Sequence, residues 1–246
     1  MIKVPEITLL FWICKILTTG MGESLSDYFA STIGPKMALL GSSLGLAIAL
    51  IWQFRVAGYV PWIYWLTVAM VAIFGTIAAD EIHHSLGIAY AVSTLVFVVI
   101  LAIIFGAWYW SEKNLDFSSI NTPLRETFYW AVVIATFVLG TAAGDWTANN
   151  LHLGHLTSGI MFGLQFLLVV WAYYSSGYLP ILNFWLAYIL TRPLGASFAD
   201  WMGSSEIKGN LGWGHGSVGL GLTVLFLGLV YYLNSKSSRI KNAHGF

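Results

Sequence analysis

The chain has 246 residues and carries 11 basic and 11 acidic side chains, so its formal net charge is zero and gives no case for nucleic acid binding. Hydrophobic residues make up 58% of it and charged residues only 9%, whereas charged residues make up about 25% of soluble domains. The single cysteine excludes an internal disulfide and a thiolate metal cluster. This composition predicts a polytopic membrane protein.

A helix needs about 20 apolar residues to cross the hydrocarbon core of a membrane. The chain has eight apolar stretches of this length, at 6–30, 37–57, 62–84, 88–110, 125–149, 155–176, 180–203 and 214–234. The first contains Lys15, Glu23 and Asp27 and has no small-residue cleavage site after it, so it is predicted to be a spanning helix rather than a signal peptide. We expect one transmembrane domain over 1–246, with about eight helices and a cytoplasmic tail at 235–246.

Four of the five aspartates occupy the same place in an internal repeat. Each follows a tryptophan by 15 residues and a glycine by five. The tryptophans are Trp12, Trp65, Trp130 and Trp185, the glycines are Gly22, Gly75, Gly140 and Gly195, and the aspartates are Asp27, Asp80, Asp145 and Asp200. A shared register of this kind indicates tandem units. The predicted units are two-helix repeats at approximately 6–57, 58–110, 123–176 and 178–234.

The basic residues between the apolar stretches predict the topology. One side holds Lys3, Arg55, Lys113, Arg125, Lys236, Arg239 and Lys241, and the other holds Lys36 and Lys208. This asymmetry predicts that both termini lie in the cytoplasm and that the protein is integral to the cytoplasmic membrane. Each two-helix unit returns to the same side, so the four repeats are parallel and a pseudo-fourfold axis is expected along the membrane normal. The four tryptophans then fall at the cytoplasmic ends, where we expect them to form an interfacial belt.

An acid within a membrane helix costs about 2.5–3.5 kcal/mol, so the four aspartates are expected to share one polar cavity. Clustered carboxylates repel one another and need protons, bases or a cation. We predict a metal site whose ligands are Asp27, Asp80, Asp145, Asp200, Glu23, Glu81 and His84. Mixed oxygen and imidazole ligands favour Mn, Zn, Co or Ni over Mg or Ca. A bound divalent ion is compatible with this pattern, and no other cofactor is implied.

Three further polar residues are predicted to contribute to transport. Asn149 stands one turn after Asp145, and Lys15 and Arg192 are cations inside apolar stretches. The two cations have either a structural role, in which they neutralise part of the carboxylate ring through a neighbouring helix or bond helix carbonyls, or a role as tethered counter-ions that replace a substrate cation. Pro193 is expected to kink its helix or free a carbonyl beside Arg192.

The segments WAVVIATFVLGTAAGDW and WLAYILTRPLGASFADW resemble the bacterial membrane proteins built from the repeat called domain of unknown function 347. The resemblance covers nearly the whole chain and implies an all-α architecture of four two-helix units, without implying a substrate. The second repeat departs from the pattern, because Glu81 instead of an aromatic residue follows Asp80.

The sequence therefore predicts a membrane transporter or channel for a cation, and the predicted ligand set favours a divalent metal ion. The expected partners are that cation and the lipid bilayer. Two alternatives stay open: a proton-coupled carrier of a small organic solute, and a non-transport protein whose polar residues only hold the bundle together. An enzyme is not expected, because the acids are symmetric and no nucleophile accompanies them. The sequence leaves open the substrate, the direction of transport and the choice between channel and carrier, and an oligomer is compatible with it.

Overall fold

A computed structural model of the protein describes residues 2–175, 179–206 and 209–243, with side chains described through Ser238. Lys208 and the side chains of Arg239 and Lys241, used above in the charge argument, lie outside these residues. The described residues form eight α-helices: α1 Leu9–Ile33, α2 Pro35–Arg55, α3 Pro61–Leu86, α4 Tyr90–Glu112, α5 Pro123–Asp145, α6 Gly154–Ser175, α7 Pro180–Gly203 and α8 His215–Ala243.

Six of these helices are long and apolar enough to cross a membrane, namely α2, α3, α4, α5 with the π-helical turn that follows it, α6 and α8. The other two, α1 and α7, contain the buried cations Lys15 and Arg192, which lower their mean hydropathy. The helix α8 continues to Ala243. Most of the stretch expected to be a tail is thus helical, because no proline or glycine interrupts it between 229 and 243.

The odd-numbered helices form an inner ring. α1 packs against α3, α3 against α5, α5 against α7, and α7 against α1. Each even-numbered helix lies outside this ring and packs chiefly on the inner helix of the next repeat: α2 on α3, α4 on α5, α6 on α7 and α8 on α1. The most apolar windows of α3 and α5 are 72% buried, whereas those of the outer helices are only 17–22% buried. The fourth repeat thereby closes onto the first.

The inner helices touch at the glycines of the repeat. A Cβ built on Gly75 would lie 2.7 Å from the Cβ of Phe137, and one built on Gly195 would lie 2.8 Å from the Cβ of Thr19. Gly22 and Gly140 make the equivalent close approaches to Ala72 and to Arg192 with Pro193. Each glycine therefore contacts the next inner helix of the ring, and the contacted residue is always the one seven positions after the tryptophan of that helix. These are the close contacts that small residues permit between membrane helices.

The four tryptophans of the repeat do not form an interfacial belt, and that prediction was wrong. Their exposed fractions are only 0–3%. In each repeat the preceding aromatic residue packs edge-on against its tryptophan, with ring centroids 5.0–5.2 Å apart. The pairs are Phe11 with Trp12, Tyr64 with Trp65, Tyr129 with Trp130 and Phe184 with Trp185. A ring of four helices leaves a space at its centre, and these aromatic pairs fill it at the end opposite the aspartates.

The N-terminal segment closes this aromatic end of the bundle. The amino group of Lys3 donates to Glu126 at 2.6 Å and to the carbonyl of Phe54 at 3.1 Å, and the amide of Gln53 donates to Glu126 at 3.0 Å. The start of the chain, the end of α2 and the start of α5 therefore meet on one side. The 3-10 turn Phe117–Ser119 inserts the ring of Phe117 into the same cluster, 4.5 Å from the ring of Phe184.

Candidate functional site: a carboxylate cavity

All four repeat aspartates line one cavity of about 200 Å³ at the end of the inner ring opposite the aromatic pairs. Every residue that lines it is polar: Glu23, Asp27, Asp80, His84, Tyr90, Asp145, His155, Asp200 and Ser204. Five carboxyl groups and two imidazoles thus share a space that would hold about six water molecules at roughly 30 Å³ each. The convergence expected from the repeat register is present.

The inner helices place these acids close to their own C-termini. Asp145 is the last residue of α5 and Asp200 lies three residues before the end of α7. The C-terminal end of a helix carries a partial negative charge, which destabilises a nearby anion. Directly after Asp145 the chain forms a π-helical turn, Trp146–Asn150, a feature that is frequent at functional sites. The fold therefore adds to the repulsion among the carboxylates instead of relieving it.

Asp27, Asp200 and His215 form the tightest ligand group. Each offers one ligand atom, and these three atoms lie within 4.8 Å of one another. The Nδ1 of His215 lies 3.1 Å from an oxygen of Asp27, and its Nε2 lies 3.4 Å from the hydroxyl of Ser204. Gly203 makes room for the ring, since a Cβ there would lie 2.7 Å from Nδ1.

This geometry is close to what one ion requires. Ligand atoms at about 2.0–2.2 Å from a shared ion lie at most about 4.4 Å apart, so a movement of a few tenths of an ångström completes the set. The contact of Ser204 with the second imidazole nitrogen of His215 is the kind of interaction that orients a metal-binding histidine.

The remaining predicted ligands divide between two spaces. His84 lines the central cavity and also a neighbouring void of about 470 Å³ between α1, α2, α3 and α8, which Asp27, Asp80 and His215 line as well. Glu81 lines only this second void and accepts a hydrogen bond from Ser85 at 2.5 Å. Neither Glu81 nor Asn149 is among the described residues that line the central cavity. Glu81 directly follows Asp80 and is therefore rotated by about 100° around α3, and Asn149 lies in the π-helical turn after α5, where the α-helical register with Asp145 is lost.

Glu23 lines the cavity floor and forms an ion pair with Arg192. The guanidinium of Arg192 is completely buried and also donates to the hydroxyls of Thr76 and Thr141 and, at 2.9 Å, to the carbonyl of Thr19. The acid that Arg192 contacts therefore belongs to a neighbouring helix, because Asp200 on its own helix is too far from Arg192 for direct pairing. Glu23 is engaged in an ion pair in addition to any role toward a cavity ion.

Lys15 does not reach a neighbour's acid, so that expectation was wrong. Its side chain is 1% exposed, and its amino group lies 4.0 Å from the ring centroid of Phe137 and 4.2 Å from that of Tyr188. Among the described residues no carboxylate lies within ion-pair distance of Lys15. The aromatic faces provide the partners instead, because Lys15 stands only three residues after Trp12 and hence near the aromatic end.

The sequence prediction missed the contribution of the outer helices. Tyr90 and His155 line the central cavity from the first turns of α4 and α6. His215, in the first turn of α8, lines the neighbouring void and reaches Asp27 and Asp200 from there. His155 lies 3.5 Å from Asp200 through its Nδ1. The sequence contained a signal for this contribution, since the outer helices of repeats two, three and four each have an aromatic or imidazole side chain in their first turn. The outer helix of the first repeat has no such side chain there, so the signal is not shared by all four repeats.

The fold and the cavity define a class: an all-helical protein of four two-helix units, with six helices apolar enough to span a membrane and a carboxylate cavity at the end of its inner ring. The family model described as Repeat of Unknown Function (DUF347) matches residues 10–59, 63–114, 128–178 and 183–236. The chain belongs to this family, and the resemblance stated from the sequence is confirmed. No curated protein and no solved structure matches the chain.

Proposed function

We propose that the protein is an integral membrane transporter of a divalent metal ion and that the central cavity is its ion site. In this proposal all eight helices span the membrane, with a pseudo-fourfold axis along its normal and both termini in the cytoplasm. The cyclic packing of the inner ring and the four similar aromatic pairs support the symmetry. Lys3 contacts both the end of α2 and the start of α5, which supports the placement of the basic loops on one side of the membrane.

The observation that carries the proposal is the concentration of charge in a small polar space. An oxygen of Asp27 and one of Asp200 lie within 4.8 Å, where two unit charges repel by about 3.5 kcal/mol at an effective dielectric constant of about 20. Arg192 supplies one positive charge against five carboxyl groups. A divalent cation would convert this repulsion into coordination.

The size and lining of the cavity favour an ion over an organic solute. Sites for drug-sized molecules typically have volumes of about 300–1,000 Å³ and mostly apolar walls, whereas this cavity has about 200 Å³ and entirely polar walls. The His215 imidazole within the tightest ligand group favours Mn, Zn, Co or Ni over Mg or Ca.

The test is a thermal-shift series on the purified protein with Mn²⁺, Co²⁺, Ni²⁺, Zn²⁺, Mg²⁺ and Ca²⁺. An ion that binds only the folded state stabilises it by about 2.7 kcal/mol at 100 Kd, so we expect a rise in Tm with the transition-metal ions near pH 7.5. The rise should shrink near pH 5.5, because protons compete for carboxylate and imidazole ligands.

Variants with matched controls locate the effect. Asp80→Asn and His215→Ala should reduce the metal-induced rise in Tm. Asp116→Asn, at the one aspartate outside the repeat register, and His152→Asn, at an exposed histidine with φ of 56°, should leave it intact. Equal shifts for every ion and every variant would show that the ions act on the surface. A response to pH alone, with none to metals, would favour the proton-coupled carrier.

A further inference from the structure

Arg192 ties the four inner helices together directly beneath the cavity. From α7 its guanidinium donates to Glu23 on α1, Thr76 on α3 and Thr141 on α5. These three partners stand at the same position of the first three repeats, eleven residues after the tryptophan and four before the aspartate. They lie one helical turn, about 6 Å, below the aspartates. We call Arg192 with these three partners the arginine hub.

Two further layers separate the hub from the aromatic end. The amino group of Lys15 lies between the rings of Phe137 and Tyr188. Beyond it the four aromatic pairs fill the centre of the ring, with the ring of Phe11 packing against those of Trp65 and Phe184. A cation that enters the cavity therefore meets a guanidinium, then the lysine layer, then a closed aromatic layer.

We propose that the arginine hub is an internal gate and that the protein is therefore a carrier rather than a channel. This inference rests on the proposed cation transport. Arginine cannot lose its charge in a protein, so the hub repels a cation along the axis for as long as it stays in place. A cation that coordinates Glu23 from the cavity side competes with Arg192 for the same carboxylate, and this competition couples ion binding to release of the hub.

The backbone beside Arg192 is suited to such a movement. Pro193 lies within α7 and has no amide hydrogen to donate to the carbonyl of Ile189. The helix thus lacks one of its own hydrogen bonds at the residue next to the guanidinium. The part of α7 that contains Arg192 can then move relative to the part that contains Asp200 with fewer backbone hydrogen bonds to break.

Counterflow in proteoliposomes distinguishes a gated carrier from a channel. Vesicles containing the full chain are loaded with unlabelled Mn²⁺ and diluted into trace radioactive Mn²⁺. A carrier accumulates the tracer transiently above its equilibrium level, and a channel does not. We expect the wild-type protein to show this overshoot.

Removal of both charges of the pair tests the gate itself. The double variant Glu23→Gln/Arg192→Met removes both members of the ion pair, so neither is left as an unpaired buried charge. We expect it still to bind Mn²⁺ at the four aspartates but to lose the coupling of ion binding to release of the hub, and the overshoot should fall at least tenfold. Glu112→Gln/Arg125→Met removes an ion pair of 2.6 Å at the aromatic end and should keep the overshoot. Arg192→Lys, which keeps the charge but not the fork of donors, should keep a slower overshoot.

The outcomes separate the two proposals. Mn²⁺ binding and movement by the wild type without counterflow would overturn the gate and leave cation transport standing. A folded double variant with wild-type counterflow would also overturn the gate. A wild-type protein that neither binds nor moves Mn²⁺ would overturn the proposed function and the gate together.

Discussion

Gly75→Ala is the most direct perturbation of the inner ring. The added Cβ would lie 2.7 Å from the Cβ of Phe137 and 3.6 Å from the backbone of that residue and the next, so α3 and α5 must separate to admit it. Overpacking of this kind costs about 1–3 kcal/mol. Alanine also gains up to about 1 kcal/mol over glycine through helix propensity, and a control must remove that gain.

Gly106→Ala provides the control. Gly106 lies within α4, where nothing would come within 4 Å of an added Cβ, so this variant receives the gain in propensity without the clash. The difference in Tm between the two variants then isolates the packing cost. At about 2–4 °C per kcal/mol for a chain of this size, Gly75→Ala should melt about 2–12 °C below Gly106→Ala in detergent. Indistinguishable melting of the two variants would refute the close approach of the inner helices at the glycines.

Three further results are expected. Trp130→Ala should destabilise the protein by about 3–5 kcal/mol in thermal unfolding, as for a buried aromatic residue. Trp171→Ala, which removes a side chain that is 67% exposed, should destabilise it far less. Equal losses of stability would indicate that the repeat tryptophans lie at the membrane interface instead. Asp145→Asn should abolish Mn²⁺ flux with Tm unchanged or raised, because it removes repulsion from the cavity; aggregation with undiminished activity per folded molecule would support a structural role for the acids. Gly203→Ala should displace the His215 ring and reduce the Tm rise with Zn²⁺ in a protein that stays folded, and an unchanged rise would remove His215 from the ligand set.

Much of the fold was predictable because its determinants are periodic. The register of Gly75 and Asp80 recurs in every repeat, and a residue type shared at one position across four parallel units must meet its equivalents around one centre. Helix ends were predicted within a few residues, except the end of α8 at Ala243, because apolar length and proline positions such as Pro61 and Pro180 define them.

The rest depends on contacts that break the repeat. Arg192 occurs in only one unit, and its partner could be any acid within reach until the ring order placed Glu23 beside it. His155 and His215 approach the repeat aspartates because outer helices pack on the following repeat, and spacing within one repeat does not show this contact. The tryptophans were assigned to the interface from their position near helix ends alone, although the aromatic residue before each of them was a signal for a buried pair.

If the carboxylate cavity holds a divalent ion, the purified protein should contain that ion, and its metal content can be measured. The wild-type protein is loaded with Mn²⁺, freed of excess ion and analysed by mass spectrometry, beside the double variant Asp27→Asn/Asp200→Asn. We expect a stoichiometric amount of Mn²⁺ in the wild type, removed by a chelator and lost from the folded double variant. Equal metal content in the two proteins, or none in either, would contradict it.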